Sequence, residues 1–254
     1  MAEKNQNTSS TALRVLAVLE CVANFRQPIA IADVCAKTEL DRPTAYRALL
    51  TLLEAGYVLR NNSTKTFRLS HKVLWLARFM LSGDDHSDAV RATLRKIVAE
   101  TGETCHYSVL EGFETVTTQR EKGNQIVSVD FRIGDRGQLH CTSIGKAVLA
   151  YQSDDFIEEF LAQPHARLTP HTIVSPDELR RELSRVRTLG LAVDDNEMIE
   201  GMRCVAVPIR EPGDIVRSGI SMSGPASRYS DDYLQRLGDI LLKHSRELSQ
   251  ALSH

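Results

Sequence analysis

The sequence predicts an α+β protein of two modules: a small N-terminal module of helices with a β-hairpin, and a larger module in which helices flank a sheet. The length of 254 residues suits one or two domains. Hydrophobic residues make up 42% and charged residues 25%, as in a soluble globular protein. Charge divides the chain, because residues 1–72 sum to +4 and the remainder to −6. A basic module joined to an acidic one suggests that the first could approach a polyanion.

Composition and patterning also exclude several classes of protein. The longest apolar stretch, residues 73–81, is too short to span a bilayer and contains Arg78. The first residues are polar and lack the apolar segment of a signal peptide. Five cysteines are far apart and form no C-x-x-C motif. We therefore expect a reduced, cytoplasmic protein with no membrane association.

The first 56 residues show the apolar periodicity and the capping residues of three helices. Apolar residues recur at helical spacing over residues 12–23, and a short second helix is predicted over about residues 31–37. A turn through residues 38–40 leads to a third helix. Asp41 can cap this helix and Pro43 fits its first turn, while Gly56 can close it.

The third helix has one apolar face, formed by Ala45, Ala48, Leu49, Leu52 and Leu53, which we expect to be buried. In helix-turn-helix proteins the N-terminal part of the second helix of the motif reads base edges in the major groove. Arginine can bond guanine bidentately, and threonine can contact a base edge or a phosphate. The candidate DNA-contacting residues on the opposite face or at its edge are Arg42, Pro43, Thr44, Tyr46, Arg47 and Thr51.

Residues 57–69 alternate as two short strands around an Asn-rich turn, which predicts a hairpin. Arg60, Lys65 and Arg68 would stand on it, placed for phosphate contacts that hold register without reading sequence. Individually each could be an ordinary solvated charge. The whole order of helices and basic hairpin predicts a winged helix-turn-helix DNA-binding domain over residues 8–70.

A connecting helix is expected next. Ser70 can cap a helix over residues 71–81 that is rich in large apolar residues, so it should pack against a partner subunit or against its own domain. We assign residues 71–83 to this linker helix. The composition break at residues 82–85 marks the domain boundary, and residues 84–254 form the second domain.

The second domain is predicted to be α+β. The first expected helix ends near Gly102. Three more are expected over residues 143–151, 154–162 and 175–190, and a last one over residues 230–252. The 175–190 helix begins with a capping box. The expected strands are residues 104–110, 115–120, 126–132, 204–209 and 216–222.

Five stretches in order resemble transcriptional regulators of the IclR (isocitrate lyase regulator) family along nearly the whole chain. They are residues 42–58 (RPTAYRALLTLLEAGYV), 139–150 (LHCTSIGKAVLA), 172–175 (TIVS), 197–208 (EMIEGMRCVAVP) and 219–225 (GISMSGP). There are departures from the family pattern. Ala30 replaces the usual Ser or Thr cap, Glu39 the usual turn glycine, and Pro43 the usual small polar residue.

The resemblance implies a GAF/PAS-like C-terminal domain that binds a small metabolite, often a carboxylate. It also implies a homodimer or homotetramer (a dimer of dimers) on a (pseudo)palindromic operator in double-stranded DNA. Carried over by position, the effector-binding residues are Ser143 and Ile144 through their backbone N–H groups, with Asp194, Cys204, Ser221 and Ser223.

The residue types at these positions also indicate, independently of the resemblance, how they could bind a ligand. Residues 142–145, which include Gly145, form the start of a helix, where unpaired N–H groups favour the binding of an anion. Ser221 and Ser223 are two apart on a strand and so share a face, although cross-strand hydrogen bonds could also use them. Cys204 could donate weakly through its thiol or be a small core residue. Asp194 could accept from a ligand hydroxyl, would repel a carboxylate unless protonated, or could be a turn residue.

Enzymatic function is not predicted, and neither a cofactor nor a metal is expected. The chain has no G-x-S-x-G elbow, Walker loop or G-x-G-x-x-G. Adjacent Cys105 and His106 would point to opposite faces of a strand and cannot form a dyad. We predict a transcriptional regulator whose operator affinity is controlled by an organic acid. A repressor is the first expectation, and a dual regulator is the second. The alternative is a metabolite-sensing scaffold whose helix-turn-helix serves only dimerisation.

Overall fold

The computed structural model describes residues 8–81 and 85–252. The chain divides into two compact units, Met1–Ser82 and Gly83–His254. Residues 82–84, where the sequence predicts the domain boundary, lie outside the described residues. Among the described helices, none has the length and apolar character needed to cross a membrane.

Over residues 8–81, the first unit contains four helices and a three-stranded antiparallel sheet of order β1-β3-β2. Its elements are α1 (Ser10–Ala23), β1 (Ile29–Ala30), α2 (Ile31–Thr38), α3 (Arg42–Glu54), β2 (Val58–Asn61), β3 (Thr66–Leu69) and α4 (Lys72–Leu81). Residues of α1, α2, α3 and the hairpin share one apolar core around Val18, Val34, Leu49 and Phe67. Strand β1, which the sequence did not predict, pairs with β3.

Local side-chain chemistry sets the ends of α3. The Asp41 carboxylate accepts a hydrogen bond of 3.0 Å from the Thr44 N–H, as an N-cap residue does. Beyond the last helical residue, Gly56 has φ +78°. The N–H groups of Gly56 and Tyr57 donate back to the carbonyls of Leu53 and Leu52, which is a Schellman ending. Both predicted caps of this helix are confirmed.

Two departures from the family pattern have structural consequences at α2. Ala30 holds the N-cap position in extended geometry without a side-chain hydrogen bond to the helix. Glu39 ends the helix in the left-handed region, at φ 56°, where glycine would be free of steric strain. The turn of the helix-turn-helix is therefore made with a glutamate, which tolerates the left-handed backbone conformation less well than glycine.

In its described part, residues 85–252, the second unit is a six-stranded antiparallel sheet of order β6-β5-β4-β9-β8-β7 with helices on both faces. Its elements are α5 (Asp85–Thr101), β4 (Cys105–Glu111), β5 (Glu114–Glu121), β6 (Arg136–Gln138), α6 (Ser143–Leu149), α7 (Asp154–Leu161), α8 (Pro176–Leu189), β7 (Ala192–Asp195), β8 (Met202–Glu211), β9 (Ile215–Pro225) and α9 (Asp231–Ala251). The predicted α+β class is confirmed.

The two faces of the sheet differ in chemistry. Helices α5 and α9 pack an apolar core onto one face, to which Ile220 and Met222 of β9 contribute. Helices α6, α7 and α8 form a second core, to which the sheet contributes small residues such as Ala192 and Ala206. The second face is therefore less completely filled by apolar side chains.

The predicted strand over residues 126–132 is wrong. Ile126 and Val127 are exposed, so the apolar alternation there has no buried face to match. The backbone pairing of β5 resumes only near Asp135, whose carbonyl accepts from the Thr117 N–H at 2.9 Å. Strand β6 then occupies that edge, and residues 122–135 cross the surface without regular structure.

Candidate DNA interface and ligand cavity

The face of α3 directed away from the core is basic. Arg42, Pro43, Tyr46, Arg47 and Thr51 are exposed, and Thr44 is half-buried in the first turn. The opposite face buries Ala45, Ala48, Leu49 and Leu52, as its apolar pattern predicted. The amphipathic orientation of the helix is thus confirmed, whereas DNA contact by these residues stays a prediction.

The hairpin places its three cations in different surroundings. Arg68 is exposed on the face shared with Leu59, its cross-strand partner. Lys65 lies in the connecting turn with φ 55° rather than on a strand. Arg60 departs from the expectation, because it lies opposite buried Phe67, with its guanidinium 5.8 Å from the ring centroid and its Nε buried. Its packing on the ring leaves it less available to a phosphate than Arg68.

A cavity opens between the small-residue face of the sheet and the start of α6. The empty space in it, including the part open to solvent, is about 430 Å³. Six residues predicted for effector binding line it: Ser143, Ile144, Asp194, Cys204, Ser221 and Ser223. The other lining residues are His106, Ser108, Thr115, Thr117, Phe131, Asp135, Arg136, Gly137, Thr142 and Met198.

Gly145, the seventh predicted residue, does not line this cavity. Its N–H donates to the Thr142 hydroxyl at 3.0 Å, because Thr142 is the N-cap of α6. A Cβ at this position would lie 2.6 Å from the Gln138 carbonyl oxygen and from the Leu139 Cα. The glycine therefore lets the helix start pack closely on the preceding chain and offers no N–H to a ligand.

The register of the strands explains why the polar residues of β7, β8 and β9 converge. Asp194 pairs with Cys204, and Cys204 pairs with Ser223. Directly opposite residues of antiparallel strands share a face, so the three side chains form one row across the sheet. Ser221 lies two residues before Ser223 and opens onto the same side.

Asp194 is a fully buried strand residue rather than a turn residue. Its Oδ1 accepts hydrogen bonds from the N–H groups of Glu197 and Met198, at 2.8 and 3.4 Å. Its Oδ2 is buried and has no hydrogen-bond partner within the described part of the chain. Burial raises the pKa of the Asp194 carboxyl to about 6, although the Glu197 N–H and Lys146 act in the opposite direction.

Cys204 is a buried thiol on the same row. Burial raises the pKa of Cys204 well above its ordinary value, and the neighbouring Asp194 carboxylate adds to the effect. The thiol is therefore neutral near pH 7, which suits a weak hydrogen-bond donor and not a nucleophile.

His106 is a cavity residue that the sequence reasoning missed. It is 1% exposed, and neither ring nitrogen has a hydrogen-bond partner among the residues described. Burial lowers the pKa of His106 to about 4, and the nearby Asp130 only partly opposes this, so the ring is neutral near pH 7. Alternation along β4 could have found it, since Cys105 and Tyr107 face the α5/α9 core while His106 and Ser108 face the cavity.

A buried ion pair lies behind the cavity. Lys146 of α6 is 1% exposed, and its ammonium contacts the carboxylates of Glu197 and, at 3.3 Å, Glu182. Burial raises the pKa of Glu197 to about 7, against the lowering effect of Lys146. The pair joins the helix that carries Ser143 and Ile144 to the segment that follows Asp194.

Comparison with known protein families gives two matches that together span most of the chain. The family described as "Bacterial transcriptional regulator IclR C-terminal" matches residues 79–250, and the "IclR helix-turn-helix domain" matches residues 11–62. The chain is 30% identical to the HTH-type transcriptional regulator KdgR of Dickeya chrysanthemi, covering 99% of this chain and 83% of that protein. It is 27% identical to the transcriptional repressor IclR of Escherichia coli, covering 94% and 88%.

A solved structure has the same fold. An IclR homologue from Microbacterium hydrocarbonoxydans, crystallised in complex with 4-hydroxybenzoate, superposes with a TM-score of 0.78 at 24% identity. The alignment covers 96% of this chain and 99% of that one.

Proposed function

The chain belongs to the IclR family of bacterial transcriptional regulators, and from this membership we propose that a small organic acid bound in the cavity of the second unit controls its affinity for an operator. The observation that carries the proposal is the cavity itself. It gathers six of the residues expected for effector binding onto one side of the sheet. Buried hydroxyls, a thiol and unpaired polar atoms around one empty space suit a polar ligand.

The hydrogen-bonding and charged groups around the cavity favour an organic acid that carries further polar groups. The backbone N–H groups of Ser143 and Ile144 and the hydroxyls of Ser221 and Ser223 can donate to a carboxylate. Asp194 would repel a carboxylate placed beside it, but it can accept from a ligand hydroxyl. The structure of the relative with 4-hydroxybenzoate, which has a carboxylate and a hydroxyl, is consistent with this chemistry.

On the DNA side we assign recognition to the outer face of α3. Arg42, Thr44 and Arg47 would reach base edges, with Pro43, Tyr46 and Thr51 beside them. Arg68 and Lys65 of the hairpin would contact phosphates, and Arg60 would contribute less because it packs on Phe67. The operator would be double-stranded and (pseudo)palindromic, read by a dimer or a dimer of dimers.

Control would be allosteric. A ligand can shift the conformational equilibrium only by its difference in affinity for two states, typically about 1–3 kcal/mol. We propose that α4, which connects the two units along the chain, transmits the shift to the spacing of the recognition helices. Repression is the proposed direction, as the name of the E. coli relative says of that protein. We also propose that the protein acts in the cytoplasm, where a bacterial operator would be found.

The test is fluorescence anisotropy of the full chain on labelled DNA from immediately upstream of its own gene. It is run at about 150 mM salt with excess shuffled competitor, since protein–DNA affinity depends strongly on salt. Binding that survives the competitor and needs two half-sites supports the proposal. Absence of specific binding at any salt concentration contradicts it and favours a sensing scaffold whose helix-turn-helix serves only dimerisation.

A further inference from the structure

A groove on the second unit, which shares no lining residue with the cavity described above, is strongly basic. It forms where the residues after α6, the last turn of α8, strand β8 and the C-terminal part of α9 meet, and its empty space, including the part open to solvent, is about 920 Å³. Arg187, Arg210 and Arg246 line it, and none of the described residues that line it is an Asp or Glu. A concave surface lined by one sign of charge attracts ions of the opposite sign.

The contacts of two of these arginines show how the fold brings them to the groove. The Nε–H of Arg187, at the end of α8, donates to the carbonyl of Ala150, at the end of α6. The guanidinium of Arg210, on β8, lies over the ring of Tyr151, 4.7 Å from the ring centroid. Two separate elements therefore direct a guanidinium group to the same short segment, residues 150–151.

The third arginine comes from α9. The Arg210 N–H donates to the Ser249 hydroxyl at 3.0 Å, which holds this face of α9 against β8. Arg246 precedes Ser249 by three residues and so lies on the same face of the helix. Its neighbour Glu247 contacts His244 Nδ1 at 3.4 Å. Arg246 is exposed and forms no hydrogen bond or ion pair with any residue that the structure describes, so its N–H donors are free for a ligand.

The carboxylates beside the groove neutralise its charge only in part. Asp154 Oδ1 lies 3.9 Å from Arg187 Nη2, beyond hydrogen-bond distance, and the Asp154 side chain is 95% exposed. Asp214, in the turn after β8, pairs with Arg210, and its side chain is 74% exposed. Exposed ion pairs are weak, so a dianion that contacts several guanidinium groups at once can compete with both carboxylates.

We propose that this groove binds a ligand that carries a phosphate group, separately from the organic acid of the cavity. Planar guanidinium groups bind phosphate oxygens through paired N–H···O bonds. A phosphate monoester is close to dianionic above about pH 7, and so matches a cluster of three cations better than a carboxylate does. Thr188 and Gln250, which also line the groove, can form hydrogen bonds with the rest of the ligand. The site depends neither on the cavity ligand nor on operator binding.

The test is isothermal titration calorimetry of the full chain with ribose 5-phosphate, inorganic phosphate and ribose. All titrations are run at about pH 8, where phosphate is a dianion, and at one ionic strength, because salt screens exposed charges. The variants are Arg246→Gln and Arg246→Lys, since lysine keeps the charge but loses the paired geometry. The matched control is Arg236→Gln, because Arg236 is an exposed arginine of the same helix that does not line the groove.

We expect the two phosphate probes to bind with a Kd below about 1 mM and ribose to show no binding. Arg246→Gln should weaken phosphate binding about tenfold, the effect of one lost charge-assisted hydrogen bond. Arg246→Lys should lose less, and Arg236→Gln should stay within about twofold of wild type. Tighter binding of the ester than of inorganic phosphate would identify a phosphorylated small molecule as the ligand, and equal binding would identify phosphate itself. Thermal unfolding verifies that each variant folds.

Three results would overturn the assignment. They are no binding of either phosphate probe, equal phosphate binding by wild type and Arg246→Gln, and an equal loss in Arg246→Gln and Arg236→Gln, which would indicate a general attraction to surface charge. The double variant Ser221→Ala with Ser223→Ala alters the cavity and should bind the phosphate probes as the wild type does. If it lost them, the probes would be in the cavity and the groove would not be the site. Operator binding is measured separately by anisotropy, so failure of this site and failure of the proposed regulator are distinguishable.

Discussion

Lys146 and Glu197 form an ion pair that is almost completely shielded from solvent, with side chains 1% and 6% exposed. The pair links α6, whose first residues line the cavity, to the segment whose N–H groups hold Asp194 in place. A buried ion pair is a poor source of net stability, but removal of one partner leaves an uncompensated charge. Its more useful property here is that it fixes two walls of the cavity relative to each other.

The first prediction concerns this pair. Lys146→Met should destabilise the second unit by about 3–5 kcal/mol near pH 8, because Glu197 and Glu182 lose their buried counter-charge. The loss should be smaller near pH 6, since Glu197, whose pKa is already raised to about 7 by burial, can then be protonated and neutral. Urea unfolding at both pH values measures the effect.

The control for that experiment is Arg181→Met on the exposed side of α8, which should change stability by less than about 0.5 kcal/mol. The double variant Lys146→Met with Glu197→Gln should be more stable than Lys146→Met alone. A loss below about 1 kcal/mol at pH 8 for Lys146→Met would show that the pair is not structurally important.

The second prediction concerns the pH dependence of stability from Asp194. Burial raises the folded-state pKa of this carboxyl to about 6 from an ordinary value of 3.8, so the folded state binds the proton more tightly. Its contribution to stability is therefore fully present below about pH 4 and is lost as pH rises through about 6, an effect of up to about 3 kcal/mol.

Asp194→Asn removes this titration, so the stability of wild type minus that of the variant should fall between pH 4 and pH 7. The difference is the informative quantity, because burial lowers the pKa of His106, His140 and His165, and these groups act in the opposite direction. Urea unfolding at four pH values is the measurement. A difference that stays constant across this range contradicts the prediction.

The third prediction tests the recognition helix. Arg47→Ala should abolish specific operator binding without changing stability by more than about 0.5 kcal/mol, because Arg47 is exposed on the face of α3 opposite the core. Fluorescence anisotropy and thermal unfolding measure the two properties. Arg95→Ala, an exposed arginine of α5 in the second unit, is the matched control. Wild-type affinity for Arg47→Ala would remove this residue from the interface.

The fourth prediction uses the uncapped start of α2. Ala30 already has the extended backbone of an N-cap but supplies no acceptor, so Ala30→Ser should stabilise the first unit by about 1 kcal/mol. Asp41→Ala, which removes the cap of α3, should destabilise it by a similar amount. Thermal unfolding compares the two. If both changes were neutral, capping would not limit the stability of this unit.

The sequence predicted the helices well because each carries local signals. Asp41, Ser175 and Ser230 were expected at helix starts, and each accepts a hydrogen bond from the N–H three residues on. The strands depended on partners that a single sequence does not reveal. Residues 126–132 alternate like a strand but have no buried face, whereas β6 and β7 are short and owe their existence to pairing with β5 and β8.

The cavity was predictable only in part for a related reason. Ser221 and Ser223 share a face by alternation, and the resemblance added Asp194 and Cys204. Alternation along β4 separates His106 from Cys105 and Tyr107, but only the register between β4 and β9, which is non-local, puts His106 beside Ser221. Gly145 was assigned to the ligand because sequence spacing cannot show that its N–H is already used by Thr142.

The last prediction addresses the serine row of β9. Ser221 and Ser223 are buried, line the cavity, and lie in register with His106 and Cys204 respectively. Replacement of both by alanine removes two hydroxyl donors and leaves the strand pairing intact, since that pairing uses only backbone groups. We expect the double variant to bind its operator with wild-type affinity but to lose effector-induced release.

The matched control is Ser218→Ala, on the same strand, equally buried but outside the cavity lining. It should respond to effector as the wild type does. Operator anisotropy with increasing concentrations of the organic acids is the measurement, and thermal unfolding verifies that the variants fold. If the double variant responded normally, ligand binding would not depend on these hydroxyls, and the effector would have to be sought outside this cavity.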